Sequence, residues 1–279
     1  MHNLVRHRAG LYRRDAEPDA RCECRRGCHN RGVQELRHRV AVVTGAASGI
    51  GLAIAEAFVR EGMRVSMADL DEDTLDVQAE HLRAMGAEVL PLGVDVRDPE
   101  AMDRVGRAVV EHFGALHVAV NNAGVVNRGR SWELPLEDWR RVIDVDLWGV
   151  IHGVRTFVPL ILDTGEEGHV VNVASMAAVL TLERLAPYTV AKHGVLGLTD
   201  VLRAELDALG APVGASVVMP GMVRTAMNPI GTLEPSVVAA NVLDAIRRNR
   251  AYVFTDQQSK TEVEQRFGSI VDARAEVVG

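Results

Sequence analysis

From residue 39 onward, short apolar runs rich in β-branched residues alternate with longer stretches in which apolar side chains recur at helical spacing. Short, nearly continuous apolar runs are typical of parallel strands that are buried on both faces. Seven runs are predicted to be strands, at 40–44, 64–68, 88–95, 116–121, 169–174, 214–219 and 251–254. Helices are predicted between them, at 50–61, 72–85, 99–113, 137–162, 187–209 and 236–248. The pattern predicts one α/β domain, a doubly wound seven-stranded parallel sheet with helices on both faces.

The first 36 residues do not share this pattern. Residues 1–39 carry ten arginines against five acidic residues, which leaves a net charge of about −12 on the remaining 240. We therefore expect a basic, poorly ordered extension at 1–36, a domain at 37–256 and a polar tail at 257–279. An acidic body argues against nucleic-acid binding, and no uninterrupted apolar stretch predicts a membrane span.

All three cysteines, Cys22, Cys24 and Cys28, lie in the extension, where His29 follows them. Three thiols and an imidazole could form a metal site, but the spacing is unusual for a structural zinc site, so no metal is predicted. The segment lacks the apolar core of a secretory signal, so a cytoplasmic location is expected. We predict that removal of residues 1–32 leaves activity intact.

A glycine-rich turn follows the first predicted strand and leads directly into a helix. Glycines permit a tight turn and a close approach of the backbone, and a helix N-terminus attracts a phosphate through its free N–H groups. The sequence therefore predicts a pyrophosphate cradle and a Rossmann-type fold. Its candidate cofactor-binding residues are Gly45, Ser48, Gly49, Ile50 and Gly51.

Asp69 ends the second predicted strand, eighteen residues after Gly51. A carboxylate at this place can accept hydrogen bonds from both ribose hydroxyls of an adenosine and would repel a 2′-phosphate, which favours NAD over NADP. The alternative is that Asp69 caps the next helix, although Asp71 could do so equally well.

Further candidates follow the later strands. Asp95 and Val96 are placed to contact an adenine, but Asp95 could equally belong to a simple turn. Asn122, Ala123 and Gly124 lie at the carboxyl end of the fourth predicted strand, where ligands of α/β proteins bind.

Tyr188 and Lys192 lie four residues apart on a predicted helix, so they share one face. A nearby ammonium favours the phenolate form of a tyrosine and makes it a better acid or base. Ser175 follows the fifth predicted strand, where its hydroxyl could donate to a substrate oxygen as charge develops on it. Each residue alone has an ordinary structural explanation, but the three beside a dinucleotide loop favour catalysis.

Taken together, these residues resemble the short-chain dehydrogenase/reductase family over residues 39 to about 254. The motifs that carry the resemblance are TGAASGIG at 44–51, Asp69, Asp95-Val96, NNAG at 121–124, Ser175, YTVAK at 188–192 and PGMVRT at 220–225. The resemblance implies an NAD-dependent enzyme in which Tyr188 is the acid/base, Lys192 binds the nicotinamide ribose and favours ionisation of Tyr188, and Ser175 orients the carbonyl. It also implies that a loop near the nicotinamide carboxamide includes Pro220, Gly221, Val223 and Thr225.

The sequence departs from the family at Asp146, where a catalytic asparagine is usual. In the family this position acts largely through its backbone carbonyl, at a local irregularity of the helix. An aspartate could keep that carbonyl and add a charged partner for Lys192, so we expect reduced or pH-shifted activity. The same departure is the best argument for the alternative function, a non-catalytic NAD-binding sensor or scaffold.

The expected substrate is a secondary alcohol or ketone. Mostly apolar segments at 176–180 and in a short lid at 227–233 favour a lipophilic molecule in an open pocket, although 176–180 could simply pack in the domain. The resemblance also implies a homo-oligomer, a dimer or tetramer, formed through the helices near 137–162 and 187–209.

Overall fold

A computed structural model describes residues 32–274 of the chain. All seven predicted strands are present and every pairing between them is parallel, in the order β3-β2-β1-β4-β5-β6-β7. The strands are β1 Val40–Thr44, β2 Arg64–Asp69, β3 Val89–Gly93, β4 Val118–Asn121, β5 Gly168–Val173, β6 Val213–Met219 and β7 Tyr252–Phe254. The predicted Rossmann-type sheet in a single domain is therefore confirmed.

The helices begin and end within one residue of most predicted limits. They are α1 Gly49–Arg60, α2 Glu72–Ala84, α3 Pro99–Phe113, α4 Leu136–Ile143, α5 Gly149–Leu162, α6 Ala186–Leu209, α7 Pro235–Arg248 and α8 Lys260–Ala273. The single helix predicted at 137–162 is interrupted by a π-helical turn, Asp144–Trp148. Within the predicted polar tail, α8 is a regular helix, which the sequence analysis missed because its apolar residues are sparse and none of them is buried.

Two apolar layers enclose the sheet. One packs α1 and α7 on the sheet around Phe58 and Ile246, and the other packs α3, α5 and α6 around Phe157 and Leu206. The strand residues of β1, β5 and β6 are all buried, which explains their continuous apolar runs.

The predicted limit of the N-terminal extension is wrong for its last residues. Val33 and Leu36 are fully buried in the layer around α1 and α7, and the Val33 N–H donates to the Ile246 carbonyl at 3.1 Å. Residues 33–36 therefore belong to the domain. The cysteine-containing segment lies outside the described residues, and no group of three or more His, Cys, Asp or Glu side chains within 32–274 is placed to hold a metal ion.

One stretch of the described chain, Leu136–Leu162, is long and apolar enough to cross a membrane by length and composition alone. Its α5 segment packs against α3, β4 and β5. Its apolar side chains contribute to the layer around Phe157. A helix that covers a central sheet has the same composition as a membrane span, so this stretch is accounted for by the fold.

The strand order reverses at β1, which lies between β2 and β4. The connections that leave β1 and β4 run to opposite faces of the sheet, and this opens a crevice at the carboxyl edge. In doubly wound sheets ligands bind at this point. The fold therefore places the glycine-rich turn after β1 and the NNAG segment after β4 on the two sides of one crevice.

Candidate active site

A cleft of about 760 Å³ lies at this carboxyl edge of the sheet. It brings together residues from the ends of β1 to β6 and from helix α6. Of the predicted site residues, all but Gly51 line it: Gly45, Ser48, Gly49, Ile50, Asp69, Asp95, Val96, Asn122, Ala123, Gly124, Asp146, Ser175, Tyr188, Lys192, Pro220, Gly221, Val223 and Thr225. Residues up to 180 positions apart in sequence thus share one cavity, although their individual roles stay predictions.

The glycine-rich turn forms a tight loop that only glycines can form without strain. Gly45 and Gly49 have positive φ angles of 67° and 58°. Gly51 lies beneath the loop, where an added Cβ would stand 2.0 Å from the Gly45 carbonyl oxygen. The missing side chain of Gly51 therefore allows the loop to pack closely against the first turn of α1. The N-cap residue of α1, Ser48, makes no side-chain cap hydrogen bond, so its hydroxyl and the first N–H groups of the helix are available to an anion.

Thr44 and Asn122 hold this loop against the end of β4. The Asn122 side chain donates to the carbonyl oxygens of Thr44 and Gly45 at 2.9 and 3.2 Å. The Thr44 hydroxyl accepts from the backbone N–H groups of Asn122 and Ala123. Sequence reasoning placed Asn122 in the site and included Thr44 in the glycine-rich motif, but did not assign Thr44 a role.

The carboxylates of Asp69 and Asp71 accept different hydrogen bonds. Asp71 caps α2, since its carboxylate accepts from the Thr74 N–H at 3.1 Å. Asp69 instead accepts from the Ala47 N–H at 2.9 Å and from the Asp71 N–H at 3.1 Å, which fixes its carboxylate at the rim of the glycine-rich loop. The capping alternative for Asp69 is therefore wrong, and its position suits contact with a ribose.

Asp95 stabilises the turn that follows it and also lines the cleft. Its carboxylate accepts from the backbone N–H and the guanidinium of Arg97, with an ion pair at 2.5 Å. The hydrogen bond from Arg97 holds the pKa of Asp95 below its ordinary value. The turn alternative of the sequence analysis is therefore confirmed, and contact with an adenine stays a prediction.

Ser175 and Tyr188 face the cleft from different elements. Ser175 caps the 3₁₀ turn Met176–Ala178, and its Oγ accepts from the Ala177 N–H at 3.2 Å. Because this contact uses the oxygen as an acceptor, the hydroxyl proton remains available to donate. Tyr188 lies in the first turn of α6, is partly exposed and lines the cleft.

Lys192 and Asp146 form a buried ion pair behind Tyr188. Lys192 Nζ lies 3.1 Å from Asp146 Oδ2, and both side chains are almost completely buried. Lys192 also donates to the Val173 carbonyl at 3.2 Å, and its ammonium is 5.4 Å from the centre of the Tyr188 ring. Asp146 is the central residue of the π-helical turn, and its Oδ1 accepts from the Val125 N–H at 2.8 Å. The expected helix irregularity and the expected charged partner of Lys192 are both present.

The pKa values of Asp146 and Lys192 are both raised, but for different reasons. Burial raises the pKa of Asp146 above its ordinary value, and the opposing attraction of Lys192 is the smaller influence. Burial alone would lower the pKa of Lys192, but the Asp146 carboxylate and Tyr188 outweigh it, so the pKa of Lys192 is raised. Lys192 therefore stays protonated near neutral pH.

Two arginines that sequence reasoning missed, Arg128 and Arg141, also line the cleft. Neither belongs to a motif, and a single arginine in a loop or on a helix carries no signal of its own.

The predicted lid is a compact segment tied by a bridge between Val223 and Leu233. Met227 and Asn228 of this segment line the cleft, whereas Ile230 is 81% exposed and does not line it.

Comparisons with known proteins agree with this geometry. A model of the short chain dehydrogenase family matches residues 39–232. A 1-deoxy-11-beta-hydroxypentalenate dehydrogenase of Streptomyces exfoliatus is 37% identical over 247 residues, which are 84% of this chain and 89% of the relative. A putative oxidoreductase SadH of Mycobacterium tuberculosis is 36% identical over 195 residues, 70% of each chain.

Among solved structures, a short chain dehydrogenase/reductase from Burkholderia phymatum in complex with NAD superposes with a TM-score of 0.83. It is 34% identical in sequence, and the match covers 85% of this chain and 96% of that one.

Proposed function

The chain belongs to the short-chain dehydrogenase family, and on that premise we propose that it transfers hydride between NAD(H) and a secondary alcohol or ketone. The observation that carries the proposal is that Ser175, Tyr188 and the Lys192–Asp146 pair line the same cleft as the glycine-rich loop. A protein that only bound a nucleotide would need the loop but not the other three groups.

The loop residues fit the pyrophosphate of a dinucleotide, because Gly45 and Gly49 leave backbone N–H groups uncovered and the N-terminus of α1 points at the cleft. When bound, NAD supplies the acceptor or donor of hydride. In the direction of alcohol oxidation, the Tyr188 phenolate takes the hydroxyl proton as the carbinol carbon loses its hydride. Ser175 donates a hydrogen bond to the same oxygen and holds it against Tyr188.

Substitution of Tyr188 by phenylalanine tests this role directly. Because the variant has no group that can accept the hydroxyl proton, we expect the rate of NADH formation to fall at least about 100-fold. The measurement is NADH absorbance across a panel of secondary alcohols. Tyr252→Phe is the matched control, since Tyr252 lies on β7 and donates to Asp200. An equal rate in wild type and Tyr188→Phe would reject the proposal.

The cofactor preference follows from Asp69, whose carboxylate lies at the rim of the loop where the adenosine ribose of NAD would bind. In Asp69→Asn the negative charge is removed and the shape is kept. We expect the ratio of kcat/KM with NAD to kcat/KM with NADP to fall about ten-fold or more, because the 2′-phosphate is no longer repelled. Asp73→Asn is the control, since Asp73 is exposed and lies on α2 outside the cleft. An unchanged ratio in Asp69→Asn would assign the preference elsewhere.

The proposed substrate is lipophilic. Val125, Val126, Leu182, Leu185 and Met227 supply apolar surface to the cleft. The relative from Streptomyces exfoliatus is named for a hydroxylated carboxylate, which supports a hydroxyl group as the site of reaction. The same panel of alcohols separates this proposal from the alternative function, a non-catalytic sensor or scaffold. That alternative predicts NAD binding without turnover, and it attributes the lack of turnover to Asp146.

We also propose that the protein is a homo-oligomer that assembles through α4, α5 and α6. The support is that α4 and α6 expose large apolar residues, among them Leu136 at 71% and Leu209 at 71%.

A further inference from the structure

Four cationic side chains line the cleft, but only two of them are neutralised by the protein. Lys192 pairs with Asp146 and Arg97 pairs with Asp95. Arg128 and Arg141 line the same cleft, and their guanidinium groups form no ion pair or hydrogen bond with any residue of the described range 32–274. The formal charges of the cleft balance, since Asp69 and Asp71 at the glycine-rich loop also line it without an ion-pair partner in the described range, but the two unpaired arginines lie on segments beside Tyr188.

Both arginines belong to elements that contact the helix of Tyr188. Arg128 precedes Gly129, whose N–H donates to the Arg184 carbonyl at 2.9 Å and which forms a bridge with Leu185, the residue before α6. Arg141 lies on α4, which packs against α6. It stands one helical turn before Val145, which lines the cleft as well. The two guanidinium groups are thus carried by segments next to the catalytic tyrosine.

The nearby walls of the cleft are mainly apolar and include Val125, Val126 and Leu182. A guanidinium beside such surface offers planar, paired donors that match a carboxylate, and charge-assisted hydrogen bonds of this kind are stronger than neutral ones.

We propose that Arg128 and Arg141 bind a carboxylate group of the substrate, so that the enzyme acts on apolar hydroxy acids or keto acids. This inference rests on the proposed function, because it takes the cleft beside Tyr188 as the substrate site. The other anion that could reach the cleft is a phosphate of the cofactor, and the experiment must separate the two.

The test is binding calorimetry on the full chain saturated with NAD, with cyclohexanecarboxylate and the neutral cyclohexanecarboxamide as probes. We expect the carboxylate to bind at least about ten-fold more tightly than the amide. Arg128→Gln and Arg141→Gln should each weaken carboxylate binding about five-fold or more and leave amide binding unchanged. Arg130→Gln is the matched control, since Arg130 lies two residues from Arg128, pairs with Glu133 and does not line the cleft.

Three results would overturn the inference: equal affinity of wild type for the two probes, an equal loss in the Arg130→Gln control, or a loss of NAD affinity in place of carboxylate affinity. The last result would assign the arginines to the cofactor's phosphates. The readout needs no turnover, so it is independent of the proposed reaction. Carboxylate binding without oxidation of any alcohol would reject the hydride-transfer proposal and leave the anion site in place.

Discussion

At the scale of single residues, Asp146 lies where the family resemblance implies an asparagine. Its carboxylate joins three parts of the site, because it faces Lys192 at 3.1 Å, accepts from the Val125 N–H and occupies the centre of the π-helical turn. A carboxylate opposite Lys192 offsets the positive charge that would otherwise favour the phenolate of Tyr188. The titratable groups that face one another here are Asp146, Lys192 and Tyr188.

Asp146→Asn should therefore shift the pH dependence of alcohol oxidation. The asparagine keeps an acceptor for the Val125 N–H but removes the negative charge, so the Lys192 ammonium acts on Tyr188 without compensation. Because the Asp146 carboxylate raises the pKa of Lys192, we expect its loss to lower that pKa and to move the kcat/KM profile against pH to lower pH.

The matched control is Asp144→Asn, which removes the same charge from the same π-helical turn at a position outside the cleft. A profile that stays in place in Asp146→Asn, or that moves equally in Asp144→Asn, would show that the Asp146 charge does not act on the reaction.

At the scale of elements, the glycine-rich loop depends on contacts from β4 and from the first turn of α1. Gly51 stands under the loop, and an added Cβ would lie 2.0 Å from the Gly45 carbonyl and 2.6 Å from the Asn122 amide. The helix can therefore approach the strand only if residue 51 has no side chain. The loop conformation is thus set by its support as much as by its own glycines.

Gly51→Ala should displace the loop. We expect the Kd for NAD to rise at least about ten-fold and the free energy of unfolding to fall by about 1–3 kcal/mol, because an added methyl group in a packed site forces the backbone to move. Both are measurable, by titration with NAD and by urea denaturation.

Gly197→Ala is the control for this change, because Gly197 lies within α6 and an added Cβ there would meet nothing within 4 Å. Alanine at that position should keep NAD affinity and stabilise the protein by up to about 1 kcal/mol. If Gly51→Ala behaved like Gly197→Ala, the support for the loop would lie elsewhere.

At the scale of the whole molecule, the domain begins earlier than its charge pattern indicated. Val33 and Leu36 fill the layer formed by α1 and α7, and the Val33 N–H is bonded to the end of α7. At the other end of the chain, α8 follows the last strand and has no buried residue. Arg266 of α8 lies 2.9 Å from the His193 ring, which ties the helix to α6 one residue after Lys192.

Two truncations locate this boundary. Removal of residues 1–31 should leave kcat/KM and the unfolding free energy within error of the full chain. Removal of residues 1–37 takes away Val33 and Leu36 and should lower the unfolding free energy by about 3–5 kcal/mol, since each is a fully buried apolar side chain. Thermal and urea denaturation measure the difference. Equal stability of the two truncated chains would exclude a role for this segment in the core.

Sequence alone predicted the sheet, the helices between its strands and the set of candidate site residues. Parallel strands buried on both faces give continuous apolar runs, and the loop, Ser175, Tyr188 and Lys192 follow strand ends or share a helix face, so their placement is local. The sequence also identified Asp146 as a departure from the family, because one residue changed within an otherwise matching segment.

Only the tertiary structure decided how those residues meet. It separated the tasks of Asp69 and Asp71, paired Asp146 with Lys192, and brought Arg128 and Arg141 into one cleft with Tyr188. It also placed Val33 and Leu36 in the core and formed α8 from a segment with little apolar periodicity. The physical reason is that the apolar pattern and the motifs depend on neighbours along the chain, whereas ion pairs, packing and cleft walls depend on residues that are distant in sequence.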